Sequence, residues 1–418
     1  MDVLVQKFGG TSVATPSHIE RCAKRIVRSI EDGAAPIAVV SAMAGVTNRL
    51  MRLANDITPD VDRRELDRML VTGEQVSASL LAMSLRRQGV EAVSVDPRDI
   101  GILAEPAFLG ARVTSVDVRG LRAMIETGRV PVVPGFQAMS AGGDVVTIGR
   151  GGSDTTATLL AGAWRQSIGE ATCEINTDVL GVHSADPNIV PDAVRLDWLS
   201  HDAMRDLAYA GARVVNHDAV MHAARTGVRI FVRHAHLGGS GTWVTARDDA
   251  ASLPCAVVTL ARDVVEWSIA SFEDERRSAL HEALSQRGIT PIAMRHERST
   301  STLRFICREL ENPGVARALR ETHAGLGLRD VSMSPALAAI TVTWPGARTA
   351  SDDVAIDRAF QRLWTTPRAT YGGECVRTDL VDAAHAEDMV RAIHDVIVRQ
   401  SASSALRHDV TATRRSRA

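Results

Sequence analysis

The first half of the chain alternates between short unbroken apolar runs and apolar stripes at helical spacing. Val3-Leu4-Val5 and Pro36-Ile37-Ala38-Val39-Val40 are continuous rather than alternating, as expected of strands covered on both faces by helices. Between them, after a helix start at Pro16-Ser17, Ile19, Ala23, Ile26, Val27 and Ile30 recur on one helical face. Strand, helix, strand is a βαβ unit. A longer helical pattern covers residues 60–88. It contains Gly73, which costs a helix interior roughly 1 kcal/mol relative to alanine and so predicts a break or a close approach.

The pattern then predicts strands over 91–95, 129–136, 172–176 and 228–232, a hairpin over 108–116, and helices over 118–127, 157–164, 201–209 and 216–226. Gly238-Gly239-Ser240-Gly241 reads as a flexible connector that closes the first domain. From Leu253 onward the periodicity changes to short strands alternating with helices. Strands at 264–270, 291–295, 302–307 and 328–332 with helices at 273–287 and 313–322 make one βαββαβ set. A looser second set has strands at 337–343 and 374–380 and helices at 353–364 and 383–398. The expected organisation is an α/β domain over 1–245, a tandem ferredoxin-like α+β region over 253–400, and a disordered polar tail over 401–418.

Composition narrows the function. The chain has 418 residues, enough for two or three domains, with 45% hydrophobic and 23% charged residues, ordinary for a globular protein. A formal net charge of -2 argues against a general nucleic-acid or membrane-surface binder. Cys22, Cys173, Cys255, Cys307 and Cys375 are scattered, odd in number and not at metal-ligand spacing, so no metal site is expected from them. No apolar run reaches the ~18 residues of a membrane span and no signal-like segment opens the chain, so a cytoplasmic location is expected. Only two of the 48 basic residues are lysines, Lys7 and Lys24. In a chain that otherwise uses arginine, Lys7 stands out.

Lys7 ends the first strand and is followed by Gly9, Gly10, Thr11 and Ser12, a turn where a backbone can approach a ligand and a compact ammonium can meet phosphate. The same residues also fit a surface lysine before a turn. The second strand ends in Ser41-Ala42-Met43-Ala44-Gly45-Val46-Thr47, at the edge where open α/β sheets bind ligands, although helix capping would also explain the hydroxyls. Gly149-Arg150-Gly151-Gly152-Ser153-Asp154 precedes an alanine-rich helix. It reads as an anion cradle with a carboxylate inside it; a plain glycine loop with an Asp or Ser cap would also explain the helix start but leaves Arg150 and the third glycine without a reason.

These segments, in this order, resemble the aspartokinases of the amino acid kinase family. Five motifs carry the resemblance over residues 1–244: KFGGTS at Lys7, SAMAGVTN at Ser41, GEQ at Gly73, GRGGSD at Gly149 and TDVLGVHSADP at Thr177. The resemblance implies a mainly parallel sheet between helix layers, followed by paired ACT domains that bind effectors and build a dimer. It implies transfer of the γ-phosphoryl of MgATP to the side-chain carboxylate of L-aspartate, with ATP and Mg2+ required. Lys7 would neutralise the transferring phosphoryl and Asp154 would orient Lys7. Ser41, Thr47, Glu74, Phe136, Arg150 and Ser153 would hold the acceptor side of the site, with Ser41 also lining the phosphates. Gly9, Gly10, Thr11, Thr177, Asp178, His183, Asp186, Pro187, Asn188 and Arg213 would hold the nucleotide. A homodimer or higher homo-oligomer through the ACT-like region is expected, and no nucleic-acid or membrane partner.

Several positions depart from the family pattern. His183 stands for a tyrosine, Asn188 for an arginine, Arg213 for a lysine, and Asn216-His217 for His-Pro. Asn188 removes a positive charge, which predicts weaker ATP binding by about 1–3 kcal/mol. In the C-terminal region Asn312-Pro313-Gly314 sits where an effector turn would be, without the expected run of small and polar residues. Two other readings therefore stay open: the same chemistry on another or a modified amino acid, and a catalytically weak regulatory subunit.

Overall fold

In the computed structural model β1 (Val3–Phe8) is the central strand of the first sheet, and Lys7 and the glycine turn lie at its carboxyl end. The structure describes all residues except 1, 59, 150, 213, 247–252, 254, 286–288, 310–311, 323–330, 335–336 and 399–418. Thr15 caps α1 (Pro16–Glu31) by accepting from the His18 N–H, and Pro16 starts the helix, so the predicted start holds. The chain returns through β2 (Ala35–Val40), buried at every position, which pairs parallel to β1.

After α2 (Val46–Ile57), the long helical pattern splits at Val71 into α3 (Arg63–Leu70) and α4 (Thr72–Arg87). A Cβ on Gly73 would lie 2.8 Å from the Cβ of Ala42. Break and close approach are therefore both present. Three short elements, β3 (Ala92–Ser94), β4 (Ile102–Ala104) and β5 (Val113–Val116), precede α5 (Arg119–Glu126) and β6 (Val130–Pro134). The predicted hairpin is wider than its pattern suggested, since β5 pairs with β4 over residues 102–116. β7 (Gln137–Ser140) and β8 (Val145–Thr147) join it in a separate four-stranded sheet.

α6 (Gly152–Ser167) leads to β9 (Ala171–Thr177), which pairs parallel to β1 on the side opposite β2. β10 (Trp198–Ser200), α7 (His201–Tyr209), α8 (His217–Thr226), β11 (Arg229–His234) and β12 (Thr242–Thr245) complete the eight-stranded sheet, in the order β10-β12-β11-β9-β1-β2-β6-β3. The glycine run at 238–241, read from sequence as a connector, is instead the turn of the antiparallel β11–β12 pair. A Cβ on Gly241 would fall 2.2 Å from the Val232 carbonyl oxygen. Phe8, Ile19, Cys22, Ile26, Leu81 and Leu85 fill the core between this sheet, α1 and α4.

The chain divides into two compact units. The first comprises 1–182, 197–205 and 213–251; the second comprises 183–196, 206–212 and 252–418. In the second unit β13 (Val257–Ile269) is twice as long as its sequence pattern indicated, with an irregularity in register between Ala261 and Val264. Around it lie α9 (Arg277–Ser285), β14 (Ala293–Glu297), β15 (Thr302–Arg308), α10 (Asn312–Thr322) and β16 (Val331–Met333). The second set is β17 (Leu337–Thr343), α11 (Ala350–Arg362), β18 (Ala369–Gly372), β19 (Val376–Val381) and α12 (386–398). β13 pairs with both β15 and β17, so the two sets share one antiparallel sheet in the order β14-β15-β13-β17-β19-β18. Ile189 and Val190 pack in the core of this unit with Val342, Phe360, Met389 and Ile393.

Candidate active site

Lys7 and Asp154 meet as an ion pair of 2.7 Å, with side chains 12% and 11% exposed. Their positions follow from the fold. Lys7 is the fifth residue of β1, and Asp154 is in the first turn of α6, where the helix dipole favours a carboxylate. The other oxygen of Asp154, Oδ2, accepts from the Asn216 backbone N–H at 3.0 Å. Asp154 is thus held from two sides, while the Lys7 ammonium keeps donors for a ligand.

The β1 turn is fixed by β9. The Gly9 N–H donates to the Asn176 carbonyl at 3.2 Å, and Ser12 Oγ donates to the same oxygen at 3.3 Å. A Cβ on Gly9 would sit 3.2 Å from Lys7 Nζ, and one on Gly10 would sit 2.9 Å from the Ala42 carbonyl oxygen. Both glycines therefore make room, one for the lysine and one for the β2 turn. Thr11 is exposed beside them, and Ser41 hangs from Phe8 through its N–H at 3.1 Å. Thr47 is half-buried in the first turn of α2.

Glu74 is buried at the start of α4, and its Oε1 accepts from the Ala42 N–H at 3.0 Å. Its second oxygen, Oε2, is buried with no hydrogen-bond partner among the described residues. Burial pushes its carboxyl up to about 7, with the Ala42 N–H opposing that rise. A buried carboxylate with one oxygen unused suits a cationic ligand group.

Phe136 has a left-handed backbone, φ 71°, and its N–H donates to Thr156 Oγ1 at 3.1 Å. Gly135 and Gly152 allow this junction: their Cβ atoms would fall 2.8 Å from Ser153 and from the Phe136 ring. Ser153 is buried there. Lys7, Gly9, Gly10, Ser41, Glu74, Phe136, Ser153 and Asp154 thus belong to one connected region at the carboxyl edge of β1, β2, β6 and β9. Arg150 and Arg213, two residues assigned to this chemistry from sequence, lie outside the described residues.

The nucleotide residues separate into two groups. Thr177 ends β9 and Asp178 follows it in the first unit, where Thr177 Oγ1 donates to Asp178 at 3.2 Å. His183, Asp186, Pro187 and Asn188 belong to the second unit. There His183 bridges to Arg195, and Asp186 Oδ1 accepts from both the N–H and the side-chain amide of Asn188, at 2.9 and 3.0 Å. Asn188 is thus turned back on Asp186.

Two residues of this region escaped the sequence reading. Asp67 is fully buried in α3 and accepts from the Leu109 N–H, the Thr147 N–H and Thr147 Oγ1, which fastens the loop before β5 to the end of β8. Asn216 was visible only as a departure from the family pattern.

A sequence profile of the amino acid kinase family matches residues 2–234. An aspartokinase of Pseudomonas aeruginosa is 35% identical over 357 residues, which is 83% of this chain and 85% of that protein. The chain belongs to the amino acid kinase family, among the aspartokinases. An aspartokinase of Thermus thermophilus is 32% identical over 94% of this chain and 98% of its own length. Among solved structures, E. coli aspartokinase III in complex with aspartate and ADP matches with a TM-score of 0.78 at 21% identity, covering 94% of this chain and 99% of that one. The fold is that of the amino acid kinases with a C-terminal antiparallel sheet of the ACT type. No helix among the described residues is long and apolar enough to cross a membrane.

Proposed function

We propose that this kinase transfers the γ-phosphoryl of MgATP to the side-chain carboxylate of L-aspartate, giving 4-phospho-L-aspartate. The observation that carries this reading is the Lys7–Asp154 pair at the glycine turn of the central strand, which leaves ammonium donors for a ligand. The acceptor carboxylate is already ionised at neutral pH, so one of its oxygens attacks the γ-phosphorus without a general base. The bond to the β-phosphate oxygen breaks and ADP leaves with the negative charge. Catalysis then reduces to positioning and charge stabilisation.

In this scheme Lys7 stabilises charge on the transferring phosphoryl, and Asp154 fixes the lysine. Gly9, Gly10, Thr11 and Ser41 approach the phosphates. Glu74 takes the ammonium of the amino acid through its unused oxygen, with Thr47, Phe136, Arg150 and Ser153 around the acceptor. Thr177, Asp178, His183, Asp186, Pro187, Asn188 and Arg213 are assigned to the nucleotide. Among the described residues no group of three His, Cys, Asp or Glu could hold a metal ion, so magnesium would arrive on the triphosphate and supply charge neutralisation there.

The catalytic part is proposed to span 1–245 and the ACT-type part 253–400. The latter would carry the homodimer contact, whether or not it retains an effector site, and the location would be cytoplasmic. Hydroxylamine trapping of the acyl phosphate, run with MgATP and a panel of amino acids, tests the function. Hydroxamate from aspartate alone is the expected result; product from a different acid only would replace aspartate as acceptor, and no product from any acid would overturn the kinase reading.

A further inference from the structure

We propose that Asn216 is a positioning residue for phosphoryl transfer, which holds the Asp154 carboxylate in the orientation that meets Lys7 by wedging its side chain against Gly151. The inference rests on reading Lys7 and Asp154 as the phosphoryl-transfer pair.

Three contacts converge on this residue. Its backbone N–H holds Asp154 Oδ2 at 3.0 Å, while Lys7 holds Oδ1 at 2.7 Å. With one oxygen fixed by a main-chain donor, the carboxylate presents the other in a single direction. That main-chain donor is set in place by the Asn216 side chain, whose Oδ1 accepts from the Asp218 N–H at 2.9 Å and so caps α8. The same side chain covers Gly151. A Cβ on Gly151 would fall 2.2 Å from Asn216 Nδ2 and 2.4 Å from its Cγ.

Gly151 is the residue that starts α6. Its backbone is left-handed, φ 68°, and its carbonyl accepts from the Asp154 N–H at 2.9 Å. One asparagine therefore touches both the backbone turn that launches Asp154 and the face of Asp154 opposite Lys7. Thr155 Oγ1, in the same first turn, lies 3.5 Å from Asn216 Oδ1.

A helix cap alone would explain the bond to Asp218, and serine caps about as well as asparagine. It would not require the side-chain amide over Gly151, which a serine, keeping only the Cβ and one γ atom there, does not supply. Asn216→Ser and Asn216→Ala in the full chain separate the two roles. The cap is kept in the first and lost in the second, whereas the amide nitrogen over Gly151 is lost in both. The expected result is that both variants lose kcat by about 10- to 100-fold, with KM for aspartate and ATP within about twofold of the parent, while Asn216→Ala alone has a clearly lower Tm. If kcat instead follows Tm, so that Asn216→Ser turns over like the parent, Asn216 is only a cap and the inference is overturned. Asp154→Asn serves as the control. Parental turnover in that variant would overturn the reading of the Lys7–Asp154 pair itself, whereas an inactive Asp154→Asn beside a normal Asn216→Ser would overturn the wedge alone.

Discussion

Two buried cations, one in each unit, show how the same kind of charge can be a site or a scaffold. Lys7 has one ion-pair partner among the described residues, Asp154. Arg377 on β19 has three: Asp379 at 2.9 Å, Asp357 at 2.7 Å and Asp353 at 3.1 Å, and its side chain is only 5% exposed. Every guanidinium nitrogen of Arg377 is already used within the protein. The Lys7 ammonium, by contrast, has three donors and sits beside Gly9, whose missing side chain makes room for it. Spare donor capacity, rather than burial of charge as such, distinguishes the two cations.

Replacing each cation by methionine sharpens this contrast. Lys7→Met should lower hydroxamate formation on the order of 10^3-fold, the scale of removing a preorganised electrostatic donor, while the protein still melts cooperatively. Arg377→Met should do the reverse. It leaves Asp379, 1% exposed, without its cation, and breaking a buried pair from one side costs about 3–5 kcal/mol. Turnover per folded molecule should stay near the parent. Thermal melts and single-turnover assays on both variants check this, and equal losses of activity and stability in the two would break the distinction.

A smaller effect is expected from Glu74. Its carboxyl is raised to about 7 by burial, so the folded state keeps a proton that the unfolded chain releases above about 4.5. Glu74 therefore lowers stability as pH rises through that window, by an amount on the order of 3 kcal/mol. Acceptor binding runs the other way, because only the ionised form attracts an ammonium. The value of kcat/KM for aspartate should fall as pH drops below 7, about tenfold per unit. In Glu74→Gln that acid limb should vanish, with a lower plateau and a melting temperature less sensitive to pH between 4.5 and 7. An acid limb unchanged in the variant would remove Glu74 from acceptor binding.

Much of the first unit was legible in sequence because local and tertiary signals agree there. The unbroken apolar runs of β1, β2 and β6 are buried on both sides, and the glycines at 9, 10, 73 and 152 mark close approaches found in the structure. What stayed hidden depends on long-range packing. Asp67 looks like any helical aspartate until the loop at Leu109 and the strand at Thr147 fold onto it. β18 is four residues long and is secured by pairing with β19, not by its own pattern. The segment 183–196 reads as a continuation of the first unit, yet Ile189 and Val190 find their core with Ala256 and Val258 and with residues as far along as Ile393. The β11–β12 turn reads as a linker because Gly241 answers a steric demand from the Val232 carbonyl that sequence cannot display.

The scarcity of lysine permits a direct look at the central claim. With lysine alone labelled with 15N at the side-chain nitrogen, the chain carries two such positions, Lys7 and Lys24, and Lys24→Arg assigns them. Lys24 is well exposed and pairs with Glu20 on the surface of α1. If the spare donors of Lys7 receive the transferring phosphoryl, adding MgATP with no acceptor present should move the Lys7 signal and leave that of Lys24 in place. A Lys7 signal that stays fixed at saturating nucleotide would contradict the account.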